Sequence, residues 1–213
     1  MTKNRNSLRR EVMACLEQAD YPALVALAGR EANVAPLLLQ FLYDPQDLRH
    51  WRALEGLGHV AREHPGQVGK IITRLLWLLN EDSGSFGWGA AAALGEIGAH
   101  NLSVEAEIIP MFVGFLEEPF SRAPMLWGIG RLAAVHPEAL EEVTPFLLPH
   151  LRDKDPLVRA LCARALGRLR VAEAAEGLRQ LVSDPHPVTL YEGGTLHHTT
   201  VGRLAREALA LVE

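Results

Sequence analysis

Cysteine is nearly absent: Cys15 and Cys162 are the two in 213 residues, far apart and with no partner at metal-ligand spacing. That excludes a disulfide framework and a thiolate zinc site, and two isolated core thiols fit a reducing cytoplasm. Long apolar runs are missing as well. No stretch reaches the roughly 18 to 20 apolar residues that a spanning helix needs, and the polar, basic opening from Met1 to Arg10 has no apolar segment behind it, so no secretory signal is expected. Nor does one sign of charge dominate. With 26 acidic and 21 basic residues the net charge is −5, which offers no general attraction for nucleic acid or an anionic membrane. No lysine-bearing phosphate loop, βαβ pattern, nucleophile elbow or cysteine–histidine pairing occurs, so the usual nucleotide and acyl-transfer sites have no footing.

What the chain does have is a folded composition, 48% hydrophobic with 22% charged residues, and a repeat. Four helix-like stretches carry a large aliphatic residue followed by glycine: Leu57-Gly58, Leu94-Gly95, Ile129-Gly130 and Leu166-Gly167. The glycines lie 37, 35 and 37 residues apart. A period near 36 predicts an array of helical pairs, each burying its apolar face against its neighbours.

Aligned on that signature, each unit reads as an A helix, a turn and a B helix. The second unit takes Val34 to Tyr43, then Asp44-Pro45, then Leu48 to Glu63. The third takes Val68 to Asn80, a loop, and Gly87 to Ala99. The fourth takes Glu105 to Glu117 and Arg122 to Val135, and the fifth Leu140 to Leu151 and Leu157 to Leu169 around Asp155-Pro156. Proline disfavours helix at the residue before it and suits the first turn of the next helix, so Asp-Pro is a stop-and-start signal. Leu8 to Gly29 reads as a short N-terminal cap.

Relative to the glycine, positions −5, −1 and +2 are apolar in all four units, from Ala53, Leu57 and Val60 to Cys162, Leu166 and Leu169. They share one helical face and are expected to be core. Positions −7, −3 and +1 fall on another face and hold Trp51, Glu55 and His59, then Trp88, Ala92 and Glu96, then Ala123, Trp127 and Arg131, then Ala160, Arg164 and Arg168. If solvated, Trp51, Trp88 and Trp127 form an aromatic strip flanked by charge; otherwise each packs between neighbouring units, as Trp77 is expected to do. His64, His100 and His136 also recur at 36 residues, at B-helix ends, where a histidine complements the helix dipole and bonds the last carbonyls.

The repeat breaks at the A–B turns. One is the polar, glycine-rich run Asn80 to Gly89. A second is Glu117 to Pro124, and the third is an insertion from Asp184 to Thr200. Insertions on one edge of such an array often mark the binding edge. Within the last, Val188 to His198 reads as a β-hairpin around Gly193-Gly194, with Thr199 or Thr200 capping the final helix. It would either cap the open end of the core or act as a flap. His197 and His198, with His186 and Glu192 nearby, have metal-ligand chemistry, but neighbours on a strand point to opposite faces.

The run Asp155-Pro156-Leu157-Val158-Arg159-Ala160-Leu161-Cys162-Ala163-Arg164-Ala165-Leu166-Gly167 resembles the turn-plus-B-helix motif of the HEAT-repeat superfamily, notably its phycobilin-lyase-like short repeats. The resemblance spans about residues 34–212, and the Asn80 to Gly98 segment is similar to a loop of certain bacterial members. It implies a solenoid whose B helices line the concave side, and implies no chemistry. HEAT-like iron hydroxylases use His-Glu pairs, and this chain has no His-Glu dipeptide. HEAT-like DNA glycosylases pair concave aromatics with a carboxylate, as Trp51 with Glu55 or Trp88 with Glu96 would here, yet they need a cationic groove. Here Arg159, Arg164, Arg168 and Arg170 gather in a single unit.

The sequence therefore predicts an all-α fold, a right-handed α-solenoid of five to six HEAT-like pairs in one domain over 1–213. Residues 1–33 form the cap, 34–171 the regular repeats, and 172–213 a last repeat with a hairpin insertion at 185–200. The expected function is a non-catalytic cytoplasmic scaffold for a protein partner, with no cofactor, no metal, no membrane and no nucleic acid. Its binding residues are Trp51, Glu55, Trp88, Glu96, Trp127 and Arg131 on the B-helix face, with Glu81, Ser83, Arg122, Tyr191 and His197 on the loop edge. The alternative is a small-ligand, cofactor or metal-binding protein or enzyme with a pocket between the 81–89 loop and the 188–198 hairpin, and behind it stands a DNA-binding HEAT-like or bilin-lyase-like protein, as the resemblance implies.

Overall fold

The computed structural model describes residues 4–79, 89–104 and 106–213. It forms two compact units, Met1–Glu105 and Ala106–Glu213. The first contains α1 (Arg5–Gln18), α2 (Tyr21–Ala28), α3 (Val34–Leu38), α4 (Leu48–Glu63), α5 (Pro65–Leu79) and α6 (Ala90–His100). In the second are α7 (Phe112–Glu117), α8 (Pro119–Ala133), α9 (Pro156–Arg168), α10 (Ala175–Leu181), the strands β1 (Pro187–Glu192) and β2 (Thr195–Thr200), and α11 (Val201–Val212). Among the described residues the fold is all-α apart from this hairpin.

Local chemistry sets the helix starts. The Asp47 carboxylate accepts the Arg49 amide at the head of α4, Asp155 accepts the Leu157 amide at α9, and Thr200 accepts the Arg203 amide at α11. In the first unit α4 packs on α2, α5 and α6, and in the second α9 packs between α8 and α11. Ala53, Leu57, Val60, Ala90, Leu94, Ile97, Met125, Ile129, Leu132, Cys162 and Leu166 are all buried as their phase requires; Leu169 is half-buried.

The signature glycine brings neighbouring elements together. A Cβ on Gly167 would lie 2.7 Å from the Cα and Cβ of Ala208, so α9 and α11 meet there at backbone distance. On Gly58 it would lie 2.4 Å from His100 Nδ1, so the glycine leaves room for that ring between α4 and α6.

The A segments depart from expectation. Leu140 to Leu151, expected as one helix, is part of a chain of 3-10 turns, Pro137–Leu140, Thr144–Phe146 and Leu148–Arg152. Pro145 and Pro149 each remove an amide donor and crowd the preceding turn, which favours short 3-10 pieces over a continuous α-helix. Val34 to Tyr43 likewise passes from α3 into a 3-10 turn, Leu39–Phe41, and a 3-10 turn around Pro110 precedes α7. In the fourth unit α8 begins at Pro119, three residues before the expected Arg122, so most of the expected Glu117 to Pro124 loop is helix. Proline at a first helical position needs no partner for its missing donor.

The hairpin follows its sequence signal. β1 and β2 pair antiparallel from Pro187↔Thr200 to Glu192↔Thr195, and Gly193 and Gly194 turn the chain at φ of 57° and 84°, as a two-residue hairpin turn requires. Trp77, by contrast, is not packed away: it is 47% exposed, with the Arg74 guanidinium 4.5 Å from its ring centre.

Candidate binding face

In the second unit, B-helix positions −3 and +1 of α8 and α9 converge on the end of β1. Trp127, Arg131, Arg164, Arg168, Tyr191 and Glu192 line one narrow cleft with Leu126, Gly130 and Leu161. Its free space is only about 10 Å³, roughly one water molecule's worth. Arg164 and Arg168 stand one turn apart on α9 and both reach Glu192: Arg164 directly, Arg168 at 3.4 Å. Arg168 also donates to the Gly130 carbonyl at 2.7 Å, and Arg131 lies 5.6 Å from the Trp127 ring centre. Burial first, then the neighbouring Arg164, pulls Arg168 down to about 10, with Glu192 opposing and Arg131 adding to the shift. The group stays charged at neutral pH, but at a cost that a second anion would relieve.

The structure scatters the sequence-derived residues over several environments. Trp127 is 5% exposed, with its indole directed at the Tyr191 carbonyl at 3.5 Å. Tyr191 is buried as well. Of the two alternatives for Trp127, solvated or packed, it takes the packed one, with the Tyr191 backbone of β1 beside its indole. His197 is exposed and meets the Glu192 carbonyl at 3.0 Å, while His198 meets the Thr189 hydroxyl, so the adjacent histidines serve separate partners. Arg122 is half-buried and fully engaged: it donates to the Leu116 and Glu117 carbonyls at the end of α7 and to Asp153. Glu81, Ser83 and Trp88 lie outside the described residues.

In the first unit Trp51 is half-buried and donates to the Pro45 carbonyl at 2.9 Å. Glu55 accepts from the Tyr21 hydroxyl, Tyr21 stacks on His59 at 4.5 Å, and His59 lies 5.1 Å from His100. His100 Nδ1 reaches the buried Glu96 carboxylate at 3.4 Å. Glu55 and Glu96 thus close the two ends of one polar chain across α2, α4 and α6. Tyr21 was not legible as a member, since it precedes the first recognisable repeat and only packing brings α2 onto α4. Among the described residues no group of three or more histidine, cysteine, aspartate or glutamate side chains converges as a metal site, and no helix is long and apolar enough to cross a membrane.

The sequence places Arg164 and Arg168 on the −3 and +1 face and within a basic cluster, and Glu192 in the hairpin, but it does not name them among the binding residues. The signal that joins Arg168 to the candidate surface is phase: it occupies in α9 the +1 place that Arg131 has in α8, just as Arg164 shares the −3 place with Trp127.

Comparison with known proteins agrees with this plan. Residues 119–169, from the start of α8 through α9, match the HEAT-like repeat family model. The chain is 27% identical over 175 residues to an uncharacterized protein of Archaeoglobus fulgidus, covering 80% of this chain and 92% of that one. It is similar in fold to the crystal structures of two engineered proteins. One has a TM-score of 0.56 at 19% identity, covering 99% of each chain, and the other 0.53 at 17%, covering 97% of this chain and 96% of that one. Residues 119–169 are therefore similar to a HEAT-like repeat, within a helical repeat-protein fold.

Proposed function

We propose that the protein is a non-catalytic scaffold that recognises a protein partner through its B-helix face. The observation that carries this reading is the cleft of the second unit, where arginines at repeat-equivalent positions gather beside tryptophan and tyrosine under a hairpin. Arginine, tryptophan and tyrosine are the residues most often responsible for interface energy, and they act best where water is largely excluded. Arg131 is the partner-facing member there, with Trp127 and Tyr191 holding the surface from beneath, and exposed His197 adds a contact on the hairpin outside the cleft. Trp51 and Glu55 are the corresponding contacts of the first unit, and Glu96 and Arg122 brace the helices that present them. Glu81, Ser83 and Trp88 stay in the proposal on sequence position alone.

The test is affinity capture from the native host with the wild-type chain and with Arg131→Ala. One stoichiometric protein, recovered with the wild type and lost with a variant that melts at the wild-type temperature, is the expected result. Reproducible density for a metal or cofactor after ligand soaking, with no partner recovered, would turn the assignment to the small-ligand reading.

A further inference from the structure

The end of β1 occupies a place built for an anion. Arg164 and Arg168 share a single carboxylate, that of Glu192, so one positive charge of the pair is left over. The two cations are mostly covered, at 16% and 23% side-chain exposure, whereas the carboxylate between them is 54% exposed. Arg168 does not depend on that carboxylate for its position, because the Gly130 carbonyl holds it at 2.7 Å. Glu192 is the less anchored party. It is the last residue of β1, next to the Gly193-Gly194 turn, and Tyr191 beside it closes the cleft against Trp127.

We propose that Arg164 and Arg168 form the recognition site for an acidic, extended segment of a protein partner, and that Glu192 is a placeholder whose carboxylate the partner's own displaces. This deepens the scaffold reading and rests on it. The occupant is argued from the molecule itself: the group already seated there is a glutamate on an extended strand. Guanidinium forks match planar carboxylates in bidentate geometry. A nucleic acid would need a continuous basic track, whereas Arg159, Arg164, Arg168 and Arg170 gather in a single unit.

The experiment uses the full chain and a fluorescein-labelled hexaglutamate peptide, read by fluorescence anisotropy at low and at physiological salt. Glu192→Gln removes the competing charge, and breaking a partly exposed ion pair is a modest barrier, so the peptide should bind this variant roughly threefold to tenfold more tightly than wild type. Adding Arg164→Gln or Arg168→Gln to Glu192→Gln should abolish the gain, and Arg164→Lys should recover only part of it. Circular dichroism melts of every variant identify any that fail to fold; Arg164→Lys, the mildest change, then carries the comparison. Equal binding by wild type and Glu192→Gln would overturn the placeholder, and so would a gain that survives loss of either arginine. A labelled hexathymidylate that binds more tightly than the peptide would overturn the assignment to a protein segment. If a captured partner binds the wild type and these variants alike, the scaffold reading stands and this site falls.

Discussion

His50 is the side chain whose protonation folding changes most plainly. It is 1% exposed on α4, its Nδ1 has no hydrogen-bond partner among the described residues, and burial lowers it from 6.5 to about 4. Between those values the unfolded chain takes up a proton that the folded chain refuses, so stability falls as pH drops from about 6.5 to about 4 and the loss is complete below that. The span corresponds to on the order of 3 kcal/mol. Urea denaturation at several pH values should show a shallower slope in His50→Leu than in wild type across this window; identical slopes would mean His50 is not the group responsible. At the same scale the tryptophans separate. Trp127→Ala should cost roughly 3 to 5 kcal/mol because it empties a buried place, whereas Trp77→Ala, at 47% exposure, should change stability by under about 1 kcal/mol. Melting both variants alongside wild type checks the order.

Elements are decided by glycines of opposite meaning. Gly167→Ala sets a methyl against the Ala208 backbone of α11, which cannot swing aside as a side-chain tip would. The gain in helix propensity is smaller than the overpacking, so a net loss of roughly 2 kcal/mol is expected. Gly69, exposed in the interior of α5 with nothing near its missing Cβ, should do the reverse, and Gly69→Ala should gain up to about 1 kcal/mol. Chemical denaturation of the pair is decisive: two losses, or two gains, would contradict the close approach assigned to Gly167. Period alone could not tell these glycines apart; what distinguishes them is the backbone that passes nearby.

For the whole molecule, hydrogen exchange should follow helix type more closely than burial. Amides of α4 and α9 belong to α-helices with no interior proline and with buried faces, so they should be the slowest within their units. The 3-10 turns between Pro137 and Arg152 should exchange faster although Leu140, Leu147 and Leu151 are buried, because weaker hydrogen-bond geometry and proline-interrupted ladders open locally. Uniform protection across both classes would contradict that ranking. The sequence by itself determined the period, the B helices to within a few residues, their core positions and the hairpin, since each depends on local propensity and on a phase that repeats. Tertiary structure alone decided that Trp127 and Tyr191 are covered, that Glu192 meets Arg164 and Arg168, and that Tyr21 joins Glu55. Those pairings join elements 24 to 64 residues apart, and side-chain phase says which face a residue takes, not what will be laid across it.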